Sequence, residues 1–245
     1  MNKAVFLILA LGTCLWVGCA GTFANCHPSS GSAVAKAIDN VGGLPRWQKA
    51  KTISSDALVT IYDEQGQAHI TKQRHTFDVQ EGRLTATATL PDGSWQAVVY
   101  LPKRGKDSFK SDGVTLTAPE QLRLLAAMHT VLERAFGPMN FCLGEKAGKE
   151  EMSRVEGTDM IRVAVDSSPQ GSVAYYLDAQ DLVLSYITTG ADRPGGKGTI
   201  TRYRWQMASN GLSFPASIEV LTLGRDVLIG DAPILELAYG KVEVQ

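Results

Sequence analysis

The sequence predicts a mainly β protein with a minor helical part (α+β). Its expected architecture is one large curved antiparallel sheet, a half-open β-barrel, with a short N-terminal helix and one long helix over the concave face. Three observations predict this. Segment after segment beyond residue 51 alternates apolar and polar residues with a period of two. The stretches between them are turn chemistry, and a single long segment, residues 117 to 138, carries a helical period with start and stop signals.

Taken in chain order, the first folded element is a short helix. Ser32 can cap it, Val34, Ala37, Ile38 and Val41 share one face, and Gly42-Gly43 and Pro45 end it. A four-stranded meander over residues 52 to 101 follows. In TISSDALVTIY, Ile53, Ser55, Ala57, Val59 and Ile61 face one way; in RLTATATL, Leu84, Ala86, Ala88 and Leu90 oppose Thr85, Thr87 and Thr89. SWQAVVYL sets Trp95, Ala97, Val99 and Leu101 on one side. The separators DEQGQ, EGR and PDGS supply Gly where φ > 0 is needed.

The long helix opens with Thr117 as N-cap, Pro119 in the first turn and Glu120 in the capping-box position. Its expected apolar stripe is Leu122, Leu125, Met128 or His129, Leu132 and Phe136, and Gly137-Pro138 stops it. Such a stripe must be buried, and the sheet is the surface on offer. GEKAGKEEMSR, residues 144 to 154, reads as a solvated charged loop. Strands then resume in MIRVAVD, SVAYYLD, LVLSYIT, GTITRYRWQM, FPASIEVLTL and PILELAYGKVEV. In TRYRWQM, Tyr203, Trp205 and Met207 are expected to cover the core while Arg202 and Arg204 face water or acids.

The extreme N-terminus reads as an export signal. Lys3 precedes AVFLILALGTCLWVG, an apolar run of about 15 residues, shorter than the roughly 20 that span a bilayer. Val17-Gly18-Cys19 resembles the end of a bacterial lipobox, with Trp16 where that motif usually carries Leu. Two cuts are therefore open: before Cys19, which becomes acylated and anchors the protein to a membrane, or after Ala24. Several acyl chains anchor stably. The expected organisation is a signal peptide over 1–18, a lipidated N-terminus and polar linker over 19–31, and one domain over 32–245. Either cut leaves Cys26 and Cys142 as an even pair in an oxidising compartment, which predicts a disulfide.

Composition excludes more than it assigns. Twenty-four basic and 25 acidic residues nearly cancel, so no basic field points to nucleic acid. No His-Glu-x-x-His, Gly-x-Ser-x-Gly or Cys-x-x-Cys occurs. GADRPGGKGTI has Gly196-Lys197 but lacks the first Gly and the Ser/Thr of a phosphate loop, and a strand follows it, so it reads as a hairpin or loop. His69 and His75 share a strand face about 20 Å apart, too far for a common metal. Neither a metal nor a cofactor is expected, and the chain does not read as an enzyme.

The segments AIDNVGGLPRW and VAYYLDAQDLVLSYIT, set within this order of elements, are similar to the LolA/LolB superfamily over about residues 33 to 245. That resemblance implies an unclosed β-barrel with helices over its concave side and acyl chains held between. It also implies a lipid or lipoprotein cargo and a monomer on the periplasmic face of the bacterial outer membrane, tethered at Cys19, or soluble in the periplasm after the other cut. Small inward residues leave room for such a ligand, so the expected lining is Ala86, Ala88, Trp95, Ala97, Val99, Leu125, Met128 and Leu132. A filled core serving envelope assembly, by binding another protein's segment or strand edge, is the alternative.

Overall fold

The computed structural model describes residues 23, 26, 28–102, 104–143, 145–166, 172–190, 198–223 and 229–245. The signal peptide, Cys19, the alternative cut after Ala24, His27 and most of the GADRPGGKG segment lie outside the described residues.

Two meanders make one unclosed sheet. The first runs β1 (Thr52–Tyr62), β2 (Ala68–Asp78), β3 (Arg83–Leu90), β4 (Gly93–Tyr100) and β5 (Ser108–Asp112). The second runs β6 (Lys146–Val155), β7 (Thr158–Asp166), β8 (Val173–Asp178), β9 (Leu184–Thr189), β10 (Thr199–Met207), β11 (Ser213–Leu223) and β12 (Ile229–Tyr239). They join where β1 pairs antiparallel with β12, Ala57 opposite Tyr239 and Ile61 opposite Leu235. The spatial order is β5-β4-β3-β2-β1-β12-β11-β10-β9-β8-β7-β6, and the short β13 (Glu243–Val244) pairs with β1. The strands at the two free edges, β5 and β6, are neighbours in sequence, and the long helix α3 (Ala118–Ala135) carries the chain from one to the other. Sheets this wide curl, and the curl gives α3 a concave face to cover.

The local chemistry explains each helix. Around α1 (Ala33–Asn40), Ser32 Oγ accepts from Ala35 N–H at 3.1 Å, and Ala33, Val34, Ala37 and Ile38 are buried. At Gly42, φ is +107° and an added Cβ would meet the Gly211 carbonyl oxygen at 3.0 Å, so both conformation and space require Gly. Gly42-Gly43 end α1 as expected, but Pro45 does not take part in that stop. Pro45 sits in the first turn of a second helix, α2 (Leu44–Lys49), where its missing N–H costs nothing. For α3 the capping box is complete: Glu120 N–H donates to Thr117 Oγ1, and Thr117 N–H donates to Glu120 Oε2 at 2.7 Å. Gly137 then opens a 3-10 helix, Gly137–Cys142, at φ +49°.

Two strands depart from the sequence reading. Most of the segment 144–154, expected as a solvated loop, lies in edge strand β6, and β5 was not anticipated. Both have a single sheet neighbour and lie largely in water, so neither carries the apolar alternation that marks a half-buried strand. The charges of β6 are spent on pairing: Arg162 Nη1 donates to Glu151 Oε1 at 2.8 Å, and Ala33 N–H, at the start of α1, donates to Glu150 Oε1 at 3.0 Å. Met207 is exposed, beyond a β-bulge at Arg204/Trp205 that breaks the alternation, whereas Tyr203 is buried.

The folded body reaches back to Phe23. Its ring is 1% exposed and packs edge-on against Trp47 and Phe136, centroids 6.0 and 6.1 Å away. Three residues later, Cys26 is bonded to Cys142 at the end of the 3-10 helix. The Phe23→Ala variant is expected to lose about 3 kcal/mol of stability, from the cavity left against Trp47 and Phe136. Equilibrium urea unfolding checks this, and an unchanged midpoint would show that Phe23 is not part of the core.

Candidate functional site

Helix α3 has two working faces. One bears on β3 and β4 and touches β11. On this side Ala86, Ala88, Trp95, Ala97, Val99, Met128 and Leu132 are buried and Leu125 is half-buried, all in one packed cluster. All eight residues singled out from the sequence thus belong to the main packed core, Leu125 at its margin. Leu122, expected in the apolar stripe, is instead 66% exposed, and Val131 and Ala135 take buried places in it. The buried positions of α3 all fall in its C-terminal part, from Met128 to Ala135, and the first turns face water.

The other face borders an open cleft of about 360 Å³. Arg123, Ala126, Ala127, Thr130, Glu133 and Arg134 line it from the helix, at the spacing of one helical face. Opposite them stand Ile61 and Tyr62 at the end of β1, Ile234 and Leu235 of β12, and Val220 of β11. Thr189 and Thr199 complete it, their hydroxyls 2.6 Å apart. Ala126 and Ala127 on the helix leave the space open, and with Ile61, Val220, Ile234 and Leu235 on the strands they make much of its lining apolar. None of the eight expected lining residues borders it. The readable signal was the run Ala126, Ala127, Thr130, small residues on a helix that must otherwise pack.

A buried polar group sits behind the inner end of the cleft. Arg134 is 6% exposed, and its Nε has no hydrogen-bond partner among the described residues. The Tyr203 hydroxyl donates to the Arg134 carbonyl at 3.2 Å, and Asn140 Nδ2 donates to the Tyr175 hydroxyl at 3.0 Å. Burial pushes the Glu145 carboxyl above the usual carboxylate range, opposed by Tyr175 and Arg134, and its Oε2 has no hydrogen-bond partner among the described residues.

The histidines are placed elsewhere. His75 is wholly buried under the sheet: its Nε2 lies 2.8 Å from Gln73 Oε1 and its Nδ1 3.2 Å from the Tyr239 hydroxyl. Nε2–H therefore donates to Gln73, and Nδ1 accepts from Tyr239. His129 turns from the cleft toward Asp107, 2.7 Å away, and pins α3 to the segment before β5. His69 contacts Asp63 at 3.2 Å. Among the described residues no three potential ligands gather to hold a metal, and no helix is long and apolar enough to cross a membrane.

A sheet left open, with a cleft under the helix that joins its edges, defines a class of fold found in solved proteins. An outer membrane lipoprotein-sorting protein domain from Vibrio parahaemolyticus superposes with TM-score 0.51 at 10% identity, over 87% of this chain and 94% of that one. A DUF1329-family protein from Desulfovibrio piger gives TM-score 0.54 at 8% identity, over 87% and 92%. A LolA-superfamily protein from Nitrosomonas europaea is also similar, with TM-score 0.49 at 9% identity over the same shares. No protein-family model matches the sequence, and no curated protein matches it. The fold is shared with the lipoprotein-sorting domain and the DUF1329-family protein, and it has the unclosed sheet with a covering helix that the resemblance in the sequence implied. At such identities the likeness is one of fold alone.

Proposed function

We propose that this protein holds an acyl-chain-bearing ligand, a lipid or lipoprotein, between α3 and the sheet. One observation carries the reading: a cleft of about 360 Å³, lined in good part by apolar side chains and within the size range of ligand sites, lies between the helix and the sheet. A chain longer than the cleft would run on beneath a lifted α3, over Ala86, Ala88, Ala97 and Val99 toward Leu125, Met128, Leu132 and Trp95. The role is binding rather than catalysis. Among the described residues lining the cleft there is no His, Cys, Ser or Asp to form a nucleophile–base pair.

Strand addition by a protein partner is the weaker reading, because both sheet edges are guarded. β5 has five residues, and β6 carries a register shift between Ala147 and Glu150 together with charges on Lys146, Lys149, Glu150, Glu151 and Arg154.

Phe23 bears on how the protein is held in the envelope. A cut after Ala24 would discard a ring packed in the core; a cut before Cys19 keeps it. This supports acylation at Cys19 and a periplasmic, lipid-anchored protein. The leash from Cys19 to the fixed Phe23 would span only about 14 Å at full extension, so the body would sit close against its membrane.

The cleft is tested with the neutral fluorophore N-phenyl-1-naphthylamine. Ala126→Phe puts a ring into the cleft from an exposed helix position, and it is expected to weaken the probe about tenfold or more, while Ala126→Ser leaves it unchanged. Equal affinity in all three proteins would place the probe elsewhere and remove the support for this site.

A further inference from the structure

We propose that the cleft takes its amphiphile head-first, with an anionic head, a carboxylate or a phosphate monoester, on the Arg134 guanidinium at the inner end. This rests on the acyl-binding reading and adds the chemistry of the ligand's head.

The geometry of α3 supplies the first argument. Arg123, Ala126, Ala127, Thr130 and Arg134 border the cleft along three turns, about 16 Å of helix. Cations therefore stand at both ends of an apolar track. Arg123 is exposed, so it lies at the rim; Arg134 is 6% exposed, so it lies at the closed end.

The second argument is the state of Arg134. A buried guanidinium donor without an acceptor is disfavoured, yet Arg134 Nε has none among the described residues. It borders a cavity that a ligand can enter, and an anion arriving there would accept that hydrogen bond. An arginine offers its donors as a planar fork that suits a carboxylate or phosphate.

The neighbouring groups leave this role open. The nearby Tyr203 hydroxyl is engaged by the Arg134 carbonyl. Glu145 is near enough for Arg134 to oppose its burial shift, but it does not line the cleft, burial favours its neutral acid, and its Oε2 has no hydrogen-bond partner among the described residues. Glu133 borders the cleft one residue away and opposes an anion, so the head must seat on the Arg134 side. A neutral head could accept a hydrogen bond here but would gain less than an anion, which is what separates the proposal from simple apolar binding.

The test is displacement of N-phenyl-1-naphthylamine from the full mature chain by decanoate, decyl phosphate and decan-1-ol, at a pH where both anions are ionised. The two anions are expected to compete at concentrations about tenfold or more below the alcohol. The order of the two anions tells a free-acid head from a phosphomonoester. Arg134→Met should erase the preference for anions while leaving decan-1-ol binding in place.

An alcohol that competes equally with the anions in the unaltered protein overturns the head-group assignment and leaves the acyl-binding reading standing. A preference that disappears in Arg123→Gln but survives in Arg134→Met also overturns it, because the head would then sit at the rim. If none of the three displaces the probe, the acyl-binding reading falls and the assignment falls with it.

Discussion

Replacing Cys26 and Cys142 together by Ala is expected to lower the stability of the protein by about 4–5 kcal/mol. The two sulfurs are bonded across 116 residues of sequence, with their Cα atoms 4.6 Å apart. That loop contains the whole first meander and α3, so the bridge removes a large share of the unfolded chain's freedom. It also fixes the N-terminal segment that delivers Phe23 to Trp47 and Phe136. Without it, three aromatic rings lose their common wall, and local opening should begin there. Urea unfolding of the oxidised protein and the double Ala variant measures the difference. A gap below about 1 kcal/mol, within the scatter of surface substitutions, would show that the bridge does not constrain the fold.

The second large effect is acid sensitivity set by His75. Burial pushes its imidazole from 6.5 down to about 3. In the unfolded chain it takes a proton near pH 6.5; in the folded chain it stays neutral until about pH 3. Below pH 6.5 the unfolded state therefore binds more protons, and stability falls as pH falls. The slope from this one group is about 1.4 kcal/mol per pH unit, reaching on the order of 4 kcal/mol in total by pH 3. Between pH 6.5 and 5 few carboxylates titrate, so the slope is cleanest there. His75→Leu costs stability at neutral pH, because Gln73 and Tyr239 lose a partner, but it should remove the slope. A wild-type protein equally stable at pH 6.5 and 5 would mean that His75 can be protonated in place.

Much of the fold was legible in the sequence, for a physical reason. Strands β1, β3 and β4 each alternate buried residues with half-buried or exposed ones, so their alternation is written in the residues. The capping box of α3 is equally local, and Cys26 and Cys142 follow from parity in an oxidising compartment. Strands β5 and β6 were not legible because an edge strand in water has no buried face to encode. Helix α2 was hidden because Pro45 reads equally well as a helix stop and as a first-turn residue.

The site was legible only in part. The sequence placed a ligand space between sheet and α3, but the eight residues expected to line it belong to the packed core, and none of them borders the cleft. It did not tell which flank of α3 is filled and which is open. That depends on how the curled sheet meets the helix, with β3 and β4 in closer contact with α3 than β11 is. It is a property of the β1–β12 join, made between residues far apart in the chain. Arg134 escaped notice because an arginine near a helix C-terminus normally reads as a solvated dipole partner.

The central claim is that this fold carries an acyl-chain ligand, and native mass spectrometry tests it most directly. The protein, beginning at Ala20, would be exported to the periplasm, purified without detergent and weighed intact beside its Ala126→Phe variant. The account predicts a discrete lipid mass on the unaltered protein that is reduced or lost in the variant. A lipid mass equally abundant on both, or the bare polypeptide mass that persists after incubation with total envelope lipid, would contradict it.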